Sequence, residues 1–114
     1  MQTDGIETVY LETHNWGRAA KFFQSLGYEI DFETGHSSGM LRNTIGPAIF
    51  IAEVPVEQAP ASQPALRVPD TDHFEPGPEV EVVTPFEDSH WGTKLMTVRD
   101  PDGRTWWIEA SGQK

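Results

Sequence analysis

Two hexapeptides, Gly27-Tyr28-Glu29-Ile30-Asp31-Phe32 and Gly77-Pro78-Glu79-Val80-Glu81-Val82, lie 50 residues apart and share one pattern. Each opens on a glycine that ends a connecting segment, then runs into a strand whose acidic residues alternate with apolar ones. A repeat of that length in a chain of 114 residues leaves room for two copies of one supersecondary unit and little else.

The segments between these landmarks fill in the unit. Residues 6–13 are β-branched and aromatic enough for a strand, with Val9 and Leu11 on one face and Thr8, Tyr10 and Glu12 on the other. Asn15 is placed to cap a helix whose apolar stripe is Trp16, Ala19, Ala20, Phe23 and Leu26, ended by Gly27. Strands are expected over 28–33, 40–43 and 47–54, so the first half reads β-α-β-β-β. Residues 55–64, with prolines 55, 60 and 64 among alanine, glutamine and serine, read as a linker. Beyond it, 65–68 and 79–84 predict strands, 85–92 a loop, and 93–99 with 104–110 a hairpin turned by Asp100-Pro101-Asp102-Gly103. Pro69, Pro76 and Pro78 leave no room for a long helix in the second half.

Charge and cysteine content exclude several functions. Eighteen acids against eight bases give a net charge of -10, and the bases are scattered singly. Neither nucleic acid nor an anionic membrane surface is an expected partner. No cysteine is present, so thiolate, disulfide and iron–sulfur chemistry are absent. The first residues have neither the basic start nor the apolar run of a signal peptide, and no apolar stretch is long enough to span a bilayer. A cytoplasmic protein is expected. The serines form no nucleophile elbow, and the 35–39 glycine segment lacks the lysine of a phosphate-binding loop. His14, His36, His73 and His90 all fall in expected turns or loops, where solvated or capping roles outweigh ligation; His14 lies nearest the end of the first strand.

Three stretches of this sequence resemble the vicinal oxygen chelate superfamily, which contains glyoxalase I, fosfomycin and bleomycin resistance proteins, and extradiol dioxygenases. They are Ala19-Ala20-Lys21-Phe22-Phe23 with Leu26-Gly27-Tyr28, then Trp91-Gly92 before Arg99-Asp100-Pro101-Asp102-Gly103-Arg104, and the closing Ile108-Glu109. Arg67-Val68-Pro69-Asp70 is similar to the start of a second module. The resemblance implies one α+β domain over 1–114, with two βαβββ modules (about 1–54 and 65–114) forming a curled mixed sheet around a concave cleft. It also implies a homodimer. Nineteen positions separate Thr8 from Gly27 but fourteen separate Gln63 from Gly77, so the second helix is expected to be shortened to a turn near 70–74. One face of the second sheet would then be left partly uncovered.

Metal-using relatives place four donors on the cleft floor, and the matching positions here are Thr8, Glu53, Gln63 and Glu109. Glu53, Gln63 and Glu109 are acceptable ligands for Ni²⁺, Zn²⁺, Mn²⁺ or Mg²⁺, whereas Thr8 is a neutral hydroxyl and no histidine falls on the set. The leading expectation is therefore a metal-independent protein without a cofactor. It would sequester an aromatic or cationic small molecule through Thr8, Tyr10, Glu12, Glu53, Trp91 and Trp107. Core packing is the competing reading for the rings, and solvent-facing strand ends are the competing reading for the glutamates. The alternative function is a divalent-metal lyase or isomerase of glyoxalase type, with Glu109 as the catalytic carboxylate.

Overall fold

The computed structural model describes residues 3–72, 74–89 and 92–110. Its architecture is α+β, with eight strands: β1 (Ile6–Thr13), β2 (Glu29–Glu33), β3 (Ser38–Arg42), β4 (Ala48–Glu53), β5 (Ser62–Val68), β6 (Glu81–Asp88), β7 (Lys94–Arg99) and β8 (Thr105–Ala110). Among the described residues there is one helix, α1 (Trp16–Gln24). None is long and apolar enough to cross a membrane. The residues fall into two compact units, one of residues 8–63 and the other of 1–7 with 64–114. The border runs inside β1, between Glu7 and Thr8, and inside β5, between Gln63 and Pro64, at the end of the expected linker, where β5 begins at Ser62.

In the unit of residues 8–63 the strand order is β2-β3-β4-β1, with β1 parallel to β4 and the other pairs antiparallel. The helix forms as its sequence predicts. Asn15 sits in an extended conformation and its side-chain oxygen accepts the Arg18 N–H at 3.0 Å. Trp16, Ala19 and Phe23 pack on the buried row Leu41, Ile49 and Ile51, joined by Leu11, Tyr28 and Ile30. Leu26 departs from the expectation. It lies past the last helical turn and remains 60% exposed.

Helix and sheet come into close contact at Gly39 on β3. A Cβ there would lie 2.6 Å from the Phe32 carbonyl oxygen and 2.8 Å from the Trp16 ring. Only a glycine lets the indole lie against the strand at this point.

The second unit has the order β5-β8-β7-β6, with β5 parallel to β8. Between β5 and β6 the described residues contain turns and no helix, in keeping with the shortened second helix. The connector itself covers part of the core of this unit. Phe74 and Val80 of the connector, with Leu66, Phe86 and Trp106, pack on Val68, Met96, Val98, Ile108 and Ala110. Val80 is held by a turn in which its N–H donates to the Gly77 carbonyl at 3.1 Å. Strand β6 also runs four residues further than predicted, through Pro85. A proline fits there because β6 is an edge strand and its pairing with β7 shifts register between Thr84 and Glu87.

The β7–β8 hairpin turns as its sequence requires. Gly103 takes a φ of +89° and donates its N–H to the Asp100 carbonyl. The Asp100 carboxylate accepts from the backbone N–H groups of Asp102 and Arg104, from the Arg104 guanidinium and from the Trp106 indole N–H. Those donors, Arg104 first and Trp106 next, hold its carboxyl far below the ordinary carboxylate range.

Two outcomes follow from these contacts. Gly39→Ala should cost about 1–3 kcal/mol in urea unfolding, because neither the Phe32 carbonyl nor the indole can retreat without repacking. Asp100→Asn should lower the melting temperature near neutral pH. A carboxylate depressed in the folded state contributes above its unfolded value, near 4, and loses that contribution on acidification. The gap between wild type and Asp100→Asn should therefore close as the pH falls below about 4.

Candidate functional site

Strand alternation in the first unit divides its sheet into a face under α1 and a face without a helix. Leu11 enters the core beneath α1, so Thr8, Tyr10 and Glu12 point the other way, as predicted. Their β4 neighbours in register are Ala48, Phe50 and Ala52. Tyr10 stacks on Phe50 with ring centres 6.3 Å apart and 13° between planes. Phe50 in turn meets Phe32 of β2 at 6.4 Å and 46°. Met40 of β3 is in register with both Phe50 and Phe32. A row of three rings and one thioether thus crosses four strands, and Phe32 at its end is 46% exposed.

Sequence reasoning named only Tyr10 of this row. Phe50 sits in an unbroken apolar run, where alternation gives no clue to the face. Phe32 is concealed by geometry. Simple alternation puts it beside Ile30, but the register shift between Ile30 and Phe32 sends Ile30 into the core under α1 and Phe32 to the opposite side.

Glu12 anchors one end of the row. Its Oε2 accepts the Tyr10 hydroxyl at 3.2 Å, and its Oε1 accepts the Gln58 amide at 3.2 Å and the Ala61 N–H at 3.0 Å. The Glu12 N–H donates to the Ala61 carbonyl, so the proline-rich segment is tied to β1 twice at one residue. Burial, and then the adjacent Glu12 carboxylate, push the Tyr10 phenol above its ordinary value, so it stays a neutral donor. His14 Nε2 lies 2.7 Å from the Gln58 carbonyl, which can only accept, and this nitrogen therefore carries the proton. An open depression of about 460 Å³ is lined here by Glu12, His14, Asn15, Arg18 and Pro60, among others.

Glu53 is elsewhere. It follows Ile49 and Ile51 on the α1 face of β4, and its Oε1 accepts the Trp16 N–H at 2.9 Å. A carboxylate at a helix N-terminus meets unsatisfied N–H groups and the positive end of the dipole, a gain of about 0.3–1 kcal/mol. The expectation that it faces the ligand with Thr8 and Tyr10 is not met, because the strand's parity puts it on the opposite side. Thr8 and Glu53 lie on opposite faces of one sheet and cannot share an ion. Thr8 and Glu53 therefore cannot belong to one donor set. Among the described residues no cluster of three or more His, Asp or Glu side chains is close enough to hold one.

In the second unit Ile108 and Ala110 enter the core, which leaves Trp107 and Glu109 together on the other face, as the spacing predicts. Glu109 Oε2 accepts the Thr93 hydroxyl at 2.8 Å, and Thr93 Oγ1 lies 2.9 Å from Ser89 Oγ. The carboxylate thereby ties β8 to the turn between β6 and β7. Gln63, Ala65 and Arg67 stand at every second position of β5 and share one of its faces, and Arg67 reaches Glu7 at 3.9 Å. Trp91, His73 and His90 lie outside the described residues.

No protein-family model matches the sequence, and no curated protein matches it. Solved structures do. A glyoxalase/bleomycin resistance protein/dioxygenase superfamily member from Vibrio splendidus superposes with a TM-score of 0.67 at 16% identity, over 96% of this chain and 99% of its own. Methylmalonyl-CoA epimerase from Mycobacterium tuberculosis gives 0.67 at 13% identity, over 95% and 88%. The NAD-dependent benzaldehyde dehydrogenase of Legionella pneumophila gives 0.63 at 12%, over 90% and 96%. A backbone shared by proteins of such different description shows a fold and not a reaction. The chain therefore has the fold of these structures, the first of them described as a glyoxalase/bleomycin resistance protein/dioxygenase superfamily member.

Proposed function

We propose that this chain is a metal-independent small-molecule-binding protein, and that its ligand is a planar organic cation held against the helix-free face of the first unit. The observation that carries this reading is the row Tyr10, Phe50 and Phe32, with ring centres 6.3 and 6.4 Å apart. Aromatic faces attract cations and flat π systems, worth about 0.5–2 kcal/mol per ring. A net charge of -10 adds a field that concentrates cations near the protein. Glu12 contributes to that field more than to direct contact, since both its oxygens already take internal donors. Trp107 belongs to the same reading as a second ring platform. A cytoplasmic homodimer, as the family resemblance implies, is also part of it.

Proflavine, a planar cationic acridine, is a suitable probe. Phe50→Leu keeps the apolar volume but removes the π face, and should weaken proflavine binding about tenfold, or ~1.4 kcal/mol. Equal affinity of wild type and Phe50→Leu, or no saturable binding, rejects the site. Glu53→Ala should cost about 0.3–1 kcal/mol of stability as a lost acceptor at the helix N-terminus and leave proflavine affinity unchanged.

The metal-dependent lyase or isomerase reading draws on the likeness to methylmalonyl-CoA epimerase, but Glu53 facing α1 weighs against it. Calorimetric titration with Mn²⁺ and Ni²⁺ is expected to show no stoichiometric site. About one ion per chain, lost in Glu109→Gln, would favour the enzyme instead.

A further inference from the structure

The chain has no cysteine and three methionines, so the reaction of its sulfur with a peroxide falls to methionine alone. Met1 lies outside the described residues, and Met96 is 7% exposed in the core of the second unit. Met40 is placed differently. It stands in mid-β3 on the helix-free face of the first unit, between the buried neighbours Gly39 and Leu41, and is itself half-buried. Its register partners are Phe50 on one side and Phe32 on the other. Strands β2 and β4 flank β3, which sets their backbones about 9.5 Å apart. The ring centres of Phe32 and Phe50 are nevertheless only 6.4 Å apart. The two rings therefore lean towards each other across the Met40 position, and the thioether is bounded by a ring on each side.

We propose that Met40 is a reversible oxidation site that governs the ligand face. Hydrogen peroxide transfers one oxygen to the sulfur: the O–O bond breaks, an S–O bond forms, the sulfur loses two electrons and water leaves. A thioether is apolar and packs against ring faces, whereas a sulfoxide carries a strong acceptor oxygen that has to be hydrogen-bonded. Neither Phe32 nor Phe50 has a donor to offer it. The Tyr10 hydroxyl is already given to Glu12. Water must supply the bond, so the Phe32–Phe50 pair opens, and a planar cation laid over this face would bury the oxygen unpaired. Oxidation thus weakens ligand binding. A thiol-dependent methionine sulfoxide reductase reverses it, taking the oxygen off as water while two thiols become a disulfide. The ligand half of the inference rests on the reading above; the oxidation and the opening of the ring pair do not.

Peroxide treatment of protein carrying methyl-labelled methionine tests both halves. In the reduced protein, ring currents should displace the Met40 methyl NMR signal from the ordinary methionine position, and Phe50→Leu should move it back. Peptide mass spectrometry should find Met40 oxidised about tenfold faster than Met96, which the core keeps from solvent. Oxidised protein should bind proflavine about tenfold more weakly, and methionine sulfoxide reductases A and B with dithiothreitol should restore the affinity. Met40→Leu should bind like reduced wild type and be indifferent to peroxide, which separates Met40 from damage elsewhere. An undisplaced methyl signal, or equal oxidation of Met40 and Met96 in the folded protein, overturns the proposal. So does a proflavine Kd that is unchanged when Met40 is fully oxidised, or that weakens equally in peroxide-treated Met40→Leu. Reduced wild type without saturable proflavine binding rejects the ligand reading, and control of binding with it; the methyl signal and the relative oxidation rates then decide the oxidation site by themselves.

Discussion

The indole of Trp16 lies against the backbone of β3 where Gly39 has no side chain, and this contact decides which face of the first sheet is covered. With α1 seated there, Leu41, Ile49 and Ile51 are sealed from water, and the opposite side chains of the same strands have no helix of this unit over them. Tyr10, Phe50 and Phe32 are therefore a consequence of helix placement as much as of strand composition. Glu53 follows from the same event. It sits where the helix begins, and its carboxylate meets the Trp16 N–H.

The second unit solves the same burial problem with different parts. Prolines 69, 76 and 78 bar a full helix, so the connector supplies single side chains, Phe74 and Val80, to a core of Val68, Met96, Val98, Ile108 and Ala110. An aromatic ring buries 150–250 Å² or so, enough for one or two residues to do much of the work of a short helix. The unit is closed without a helix, and its other face carries Trp107 and Glu109. Glu109 illustrates how a family position can persist with a local task, because it accepts the Thr93 hydroxyl and so steadies a turn.

Much of the fold was legible in the chain. The helix cap at Asn15, the stripe from Trp16 to Phe23, the hairpin at Asp100 to Gly103 and the parity of Trp107 with Glu109 all depend on neighbours within a few residues, where side-chain preference is strongest. The candidate site was legible only in part. Tyr10, Thr8 and Glu12 share a face as alternation requires, whereas a bulge takes Phe32 out of the simple pattern, and Glu53, which keeps it, goes with Ile49 and Ile51 to the α1 face. Leu26 failed because an apolar residue just past a helix end need not reach the core.

By itself the sequence determined two related modules, one good helix, a chain without cysteine and a strongly acidic composition, because periodicity, composition and turn chemistry are local properties written residue by residue. Only the tertiary structure decided which strand face α1 covers, that Phe50 and Phe32 join Tyr10 in one row, and that Glu53 caps a helix. Those facts depend on register between strands far apart in the chain. A one-residue difference in register reverses a side chain's face, and nothing local in the sequence encodes it.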